Sequence, residues 1–194
     1  MTERELLLTG IGGQGVQLAA QVLARAAVLE GRDVMLFGVY SGVMRGGNSD
    51  ATVVVADGPV QAPPIVSRAW SAIALHPRYW EPLALKLVDG AVVILNSSLF
   101  DEPVDRDRLR VIDVAATDLA AEPGNPLVVS MVATGAYVAV TGLVDLDAAV
   151  AAMRESLPPY RRQHAEGNEQ ALRAGHDAVE PLAVPAWPVV GAVS

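Results

Sequence analysis

Two short stretches carry residue types suited to holding an anion. In Leu6 to Val16, LLLTGIGGQGV, an apolar run breaks into glycines, with Gly10, Gly12 and Gly15 at G-x-G-x-x-G spacing and Gly13 in addition. Glycine suits a tight strand-to-helix turn because it adopts backbone angles barred to other residues and lets a ligand or a second backbone approach. The N–H groups of Gln14, Gly15 and Val16 would face whatever sits above that turn. They stand at a helix end whose partial positive charge is worth about 0.3–1 kcal/mol to an anion. In Arg45 to Asp50, RGGNSD, Arg45 offers a planar fork for carboxylate or phosphate. Gly46 and Gly47 leave backbone N–H groups unshielded, and Asn48 and Ser49 add short hydrogen-bonding side chains. Lying after the second predicted strand, this loop can share a sheet edge with the first turn. Gly12, Gly13, Gln14, Gly15, Arg45, Gly46, Gly47, Asn48 and Ser49 are therefore the candidate site, with Tyr40 the aromatic expected nearest a ligand. Each stretch also has a plainer reading: a turn that only packs, or a surface loop holding an Arg–carboxylate pair.

Other chemistry has less support. A dinucleotide site needs an acid at the end of the second strand to hold a ribose hydroxyl. The acid at about the right distance, Asp33, opens that strand instead. The chain has no cysteine, so it forms no disulfide and offers no thiolate to an iron–sulfur cluster. His76, His164 and His176 fit no H-x₃₋₅-H spacing, which argues against a metal site. No carboxylate pair or Ser–His–Asp set stands at a plausible spacing. Asn96 and Ser97 close a strand and read as a simple turn before a ligand edge. Trp70, Trp80 and Trp187 read as core or interface aromatics.

The elements that must position these residues alternate. Strands are predicted at 5–9, 33–40, 51–56, 72–75, 91–95 and 110–114, with a helix at 14–30 ended by Gly31. The first strand–helix–strand order is a parallel crossover, right-handed by default. A helix is possible at 78–87, with Pro82 near its first turn. Residues 118–122 form a short turn. The pattern then becomes helical: 126–141, apolar on most sides, 145–157 up to Pro158, and 161–179, polar with few apolar anchors. That last helix needs a partner or a groove to stay ordered. The fold class is α/β: a Rossmann-like three-layer sandwich with a mostly parallel, mixed sheet and a helical C-terminal part. One domain covers 1–179, and 180–194, with Pro181, Pro185 and Pro188, is an extended tail.

Composition narrows the class. Of 194 residues, 52% are hydrophobic and 19% charged, and mean hydropathy is +0.33. A soluble domain this apolar has a large core or lends apolar surface to a partner, and we favour the partner. The net charge of −8 and the lack of a basic stripe argue against nucleic acid. No apolar run is long enough for a transmembrane helix, and MTERELLL is unlike a signal peptide, so the expected compartment is the cytoplasm.

GIGGQGVQLAAQVLARAA followed by VMRGGNSDATVVVA resembles the gamma subunit, or gamma domain, of 2-oxoacid:ferredoxin oxidoreductases. The resemblance continues in NPLVVSMVATGAYVAVTGLVDLDAAVAAM and GNEQALRAGHDA, over roughly residues 5–179. It implies a multi-subunit enzyme that decarboxylates a 2-oxoacid oxidatively on thiamine diphosphate. In most members an acyl-CoA forms and electrons leave through iron–sulfur clusters to ferredoxin or another acceptor. Thiamine diphosphate, magnesium and the clusters belong to alpha, beta and ferredoxin-like partner subunits. The gamma part is non-catalytic alone, and the resemblance associates it with coenzyme A access, with CoA shared between subunits. Members acting on pyruvate or 2-oxoglutarate often carry a proline and an acid just before the arginine. Here Gly42, Val43 and Met44 stand there, so an aryl or branched 2-oxoacid is equally compatible. The readings left beside this one are a free-standing nucleotide- or CoA-binding module and a purely structural subunit.

Overall fold

A computed structural model of the chain describes residues 2–40, 46–63, 65–120 and 127–187. Its sheet contains β1 (Glu3–Ile11), β2 (Asp33–Tyr40), β3 (Asn48–Ala56), β4 (Ala69–Ala74), β5 (Leu87–Asn96) and β6 (Arg110–Val114). Their spatial order is β2-β3-β1-β4-β5-β6. Strands β1, β4, β5 and β6 run parallel, while β3 is antiparallel to both β1 and β2. Thus β1 and β2 run the same way, as the crossover reading expects, but they are not neighbours. A connection as short as residues 41–47 joins antiparallel strands, and β3 returns into the space between. The sheet is mixed for that reason.

Side chains alternate across the sheet. Leu6, Leu8, Val53, Val55, Ile73 and Ile94 face one core, with α1 (Val16–Leu29) and α4 (Leu127–Thr141). Alanines at 19, 20, 24, 26 and 27 let α1 lie close to the sheet. The opposite face holds Leu7, Val54, Ala72, Val93 and Leu95 under Trp80 and Leu83 of α2 (Trp80–Ala84). Trp80 meets Phe100 edge-on at 6.0 Å. This second covering layer is thin. The helix expected at 78–87 is a 3-10 turn over Pro77–Tyr79 and then the five residues of α2, and β5 begins at Leu87. Pro82 fits in so short a helix because the N–H it lacks has no intrahelical acceptor there. The turn expected at 118–122 overlaps α3 (Ala116–Leu119), and 121–126 lie outside the described residues.

Helix α4 is buried along its described length, as its all-round apolar pattern predicts. Its partner is the polar segment 161–179, which splits into a 3-10 turn, Pro159–His164, and α6 (Ala165–Asp177). The groove that segment needs is made by glycines. A Cβ on Gly135 would collide with the Leu172 carbonyl, and one on Gly175 with the Val132 carbonyl. Each glycine admits the other helix's backbone. Helix α5 (Leu146–Ser156) packs against α1 and α6. Arg154 and Arg173 both pair with Glu169, holding its carboxyl below the usual range. The chain then returns along the end of α4: the N–H groups of Leu182, Val184 and Ala186 donate to the carbonyls of Ala139, Val140 and Thr141. Those carbonyls have no acceptor role left inside the helix. Trp187 donates its indole N–H to Leu143 and lies under the Arg32 guanidinium at 3.7 Å.

One polar pair lies within the core. Ser71 spends its hydroxyl proton on the Glu5 carbonyl, so the buried Tyr137 hydroxyl, 2.9 Å away, donates to Ser71. Burial pushes the Tyr137 phenol well above its usual range.

Replacing Gly135 with alanine is expected to destabilise the chain by about 1–3 kcal/mol, since overpacking outweighs the gain in helix propensity of about 1 kcal/mol. Urea unfolding measures this. Stability is also expected to fall above about pH 10, where the unfolded chain releases the tyrosine proton that the folded chain keeps. The slope is up to ~1.4 kcal/mol per pH unit, and Tyr137→Phe should flatten it in unfolding curves between pH 9 and 11.

Candidate functional site

The first glycine turn lies between Ile11, the last residue of β1, and Val16, the first of α1. Gly13 has φ +110° and Gly15 φ +87°, both in the region that side chains disfavour. The N–H of Gln14 donates to the Ile11 carbonyl at 3.1 Å and closes the turn. No side chain caps α1 and no acid stands in its first turn, so its positive end is not neutralised from within the helix. Gly10 serves packing instead: a Cβ there would lie 2.8 Å from Gln14 Oε1 and 2.9 Å from Val16 Cγ2.

The second stretch comes directly against the first. The Gly12 N–H donates to the Gly47 carbonyl at 2.8 Å, and a Cβ on Gly12 would sit 3.5 Å from Gly46 N. Gly46 has φ +74°. From this contact the register runs on: Ile11 opposite Asn48, Gly10 opposite Ser49, Thr9 opposite Asp50. The strand begins at Asn48, not at Ala51 as the sequence pattern indicates, because pairing with β1 continues through the polar residues. Gly12, Gly13, Gln14, Gly15, Gly46, Gly47, Asn48 and Ser49 therefore share one rim of the sheet. Tyr40 pairs with Ser49 at the end of β2, and its side chain is outside the described atoms. Arg45 lies outside the described residues.

Gln14, whose N–H is expected to face a ligand, gives that N–H to the Ile11 carbonyl. Its Oε1 accepts from the Ile11 N–H at 2.9 Å and its Nε2 reaches the Leu75 carbonyl at 3.4 Å. The side chain ties β1 to the end of β4. Asn96 reaches the same carbonyl at 3.1 Å and exchanges hydrogen bonds with Thr117, which accounts for its complete burial. It tethers strand ends, in keeping with the plainer reading.

Two polar residues, Asp50 and Gln17, are not singled out by the sequence pattern. Asp50 accepts from Thr9 Oγ1 and from Asn48 Nδ2, each at 2.7 Å. Gln17, on the first turn of α1, donates to the Asp50 carbonyl at 2.8 Å. A Cβ on Gly38 would strike the Gln17 amide, so the glycine in β2 makes room for it. The available signal was a glycine interrupting an apolar strand, which often marks a close approach. Asn48 Oδ1 is buried without a hydrogen-bond partner. Asn48 and Asp50 line a cavity of about 210 Å³ on the sheet face away from α1, with Phe37, Val39, Thr52 and Tyr79. Among the described residues no group of three or more His, Cys, Asp or Glu could hold a metal ion.

A mixed sheet whose leading strand ends in a bare glycine turn, followed by a helix and braced by a second glycine pair, defines a Rossmann-like α/β domain. The family model for pyruvate ferredoxin/flavodoxin oxidoreductase matches residues 5–178, and the chain belongs to that family. It is 32% identical to the 2-oxoglutarate synthase subunit KorC of Methanothermobacter thermautotrophicus, over 91% of this chain and 95% of that one. It is 29% identical to the ketoisovalerate oxidoreductase subunit VorA of Methanothermobacter marburgensis, covering 75% of this chain but 30% of that longer protein. Among solved structures, the gamma subunit of a keto/oxoacid ferredoxin oxidoreductase from Geobacter sulfurreducens superposes with a TM-score of 0.76 at 28% identity, covering 91% of this chain and 96% of that one.

Gly13→Val places a β-branched residue at φ +110° and is expected to cost about 1–3 kcal/mol from backbone strain alone, since open space surrounds the position. A chemical denaturation curve matching wild type would show that the turn relaxes without loss.

Proposed function

We infer that this chain is the gamma subunit of a multi-subunit 2-oxoacid:ferredoxin oxidoreductase, an enzyme component that does no chemistry alone. Its rim of bare backbone forms one wall of a pocket that partner subunits complete. The observation that supports this most is the Gly12–Gly47 hydrogen bond, which joins two glycine stretches otherwise far apart in the sequence. The open end of α1 stands beside them, and both oxygens of the nearby Asp50 carboxylate are already engaged. Such a surface suits an anionic, phosphate-bearing ligand, and coenzyme A is the ligand proposed for Gly12, Gly13, Gly15, Arg45, Gly46, Gly47, Asn48 and Ser49. Thiamine diphosphate with magnesium and the iron–sulfur clusters, which supply decarboxylation and electron transfer, belong to the alpha, beta and ferredoxin-like partners. The chain's own part is to place backbone N–H groups and Arg45 toward the anionic end of CoA and to shield the pocket beside it.

The relatives act, by their names, on different 2-oxoacids, and Gly42, Val43 and Met44 leave this chain's substrate open to aryl or branched acids as well. No helix among the described residues is long and apolar enough to cross a membrane. The compartment proposed is the cytoplasm.

A scaffold reading has its own support, since the Gly12–Gly47 contact itself requires bare backbone and Gln14 turns inward. Arg45→Ala in the assembled complex separates the two. A charged hydrogen bond to phosphate is worth about 1.5–3 kcal/mol, so KM for CoA should rise roughly 10- to 100-fold with kcat changed less. An unchanged KM supports the scaffold. The isolated wild-type chain should be colourless and inactive with any 2-oxoacid.

A further inference from the structure

Strand β2 is an open edge of the sheet. Its eight residues, DVMLFGVY, pair on one side with β3 in unbroken register, and on the other side with no described strand. Free edges in stable proteins are blunted by charge, proline or a bulge. Between Val34 and Tyr40 there is no charge and no proline, and the β3 pairing shows no bulge. The side chains are uncovered on both faces: Leu36 is 42% exposed on the α1 side, and Phe37 and Val39 are 39% and 47% exposed on the other. Val28, near the end of α1, adds to the apolar surface on the Leu36 side at 58% exposed. A strand with this composition belongs in a sheet interior, where both faces and both edges are satisfied.

We propose that β2 is a docking edge on which an extended, apolar segment of a partner subunit adds as a further strand. The partner is the subunit corresponding to the remainder of the longer relatives' chain. Two observations select it over a second copy. In VorA the matching region is 30% of the chain, so it is joined there to the other 70% in one polypeptide. Phe37 and Val39 also line the same cavity as Asn48 and Asp50, so a strand laid along β2 closes the open side of that cavity next to the glycine rim. Backbone hydrogen bonds along eight residues, roughly 26 Å, set the register, and the two grooves take alternate side chains.

The inference rests on the subunit reading. The experiment is hydrogen–deuterium exchange of wild-type full-length chain, alone and in the complex co-purified with its partner subunits, with Leu36→Lys as the variant. Amides of 33–40 should exchange at least tenfold more slowly in the complex than in the chain alone. Leu36→Lys, at an exposed position, should weaken assembly at least tenfold while leaving the chain's own thermal unfolding unchanged. An assembled complex in which the outward-facing amides of 33–40 exchange as fast as in the chain alone overturns the docking edge but keeps the subunit reading. Failure of the wild-type chain to assemble with any partner overturns both. A dimer of the isolated chain that protects 33–40, with no further protection in the complex, assigns the edge to a second copy and overturns the proposal.

Discussion

The geometry of this protein depends on one strand running against the rest. Because β3 returns antiparallel between β1 and β2, its first residues are drawn level with the last residues of β1. The Gly12–Gly47 hydrogen bond then falls at the rim of the sheet, where the helix-capping turn also lies. In an all-parallel sheet built by successive crossovers, β2 would lie next to β1 and the second glycine stretch would follow it outward. The insertion also leaves β2 as the outermost strand, so the contact that builds the rim and the exposure of an apolar edge share one cause.

Close backbone approach recurs elsewhere. Gly135 and Gly175 let α4 and α6 touch main chain to main chain, which explains how a polar helix with few apolar anchors stays on the domain. Gly38 admits the Gln17 amide. These glycines at ordinary backbone angles differ from Gly13 and Gly46, whose positive φ values shape loops. Around the rim, Gln14 and Asn96 converge on the Leu75 carbonyl and hold the strand ends in fixed relation. These two side chains stiffen the frame.

The high apolar content divides between two places. Much of it fills α4 and the strands beneath it, where Tyr137 is the largest of the fully buried side chains. Part of the rest is exposed, including Leu36, Phe37 and Val39 on β2 and Val28 and Leu29 at the end of α1. The molecule therefore has both a large core and exposed apolar surface. Membership in a family of subunits accounts for a surface that a free-standing domain would not keep.

Local chemistry made much of this legible in advance. Short apolar runs bounded by turn residues place six strands, and apolar spacing places the long helices, because burial leaves its trace in the order of residue types. The glycine turn announces itself through backbone angles that only glycine tolerates, and the absence of cysteine removes cluster ligation from this chain's duties. Helix 78–87 was overestimated, because an apolar segment that crosses a sheet face can turn into the next strand after five residues. The roles of Gln17, Asp50 and the Gln14 side chain are not legible in the sequence, because a hydrogen bond to a distant backbone atom has no sequence period. Which strands are neighbours, which apolar strand lies at the edge, and where an amide side chain finds its acceptor depend on pairing between remote segments. Those choices are made by the whole fold, since the energy that decides them is shared among residues that the chain order keeps apart.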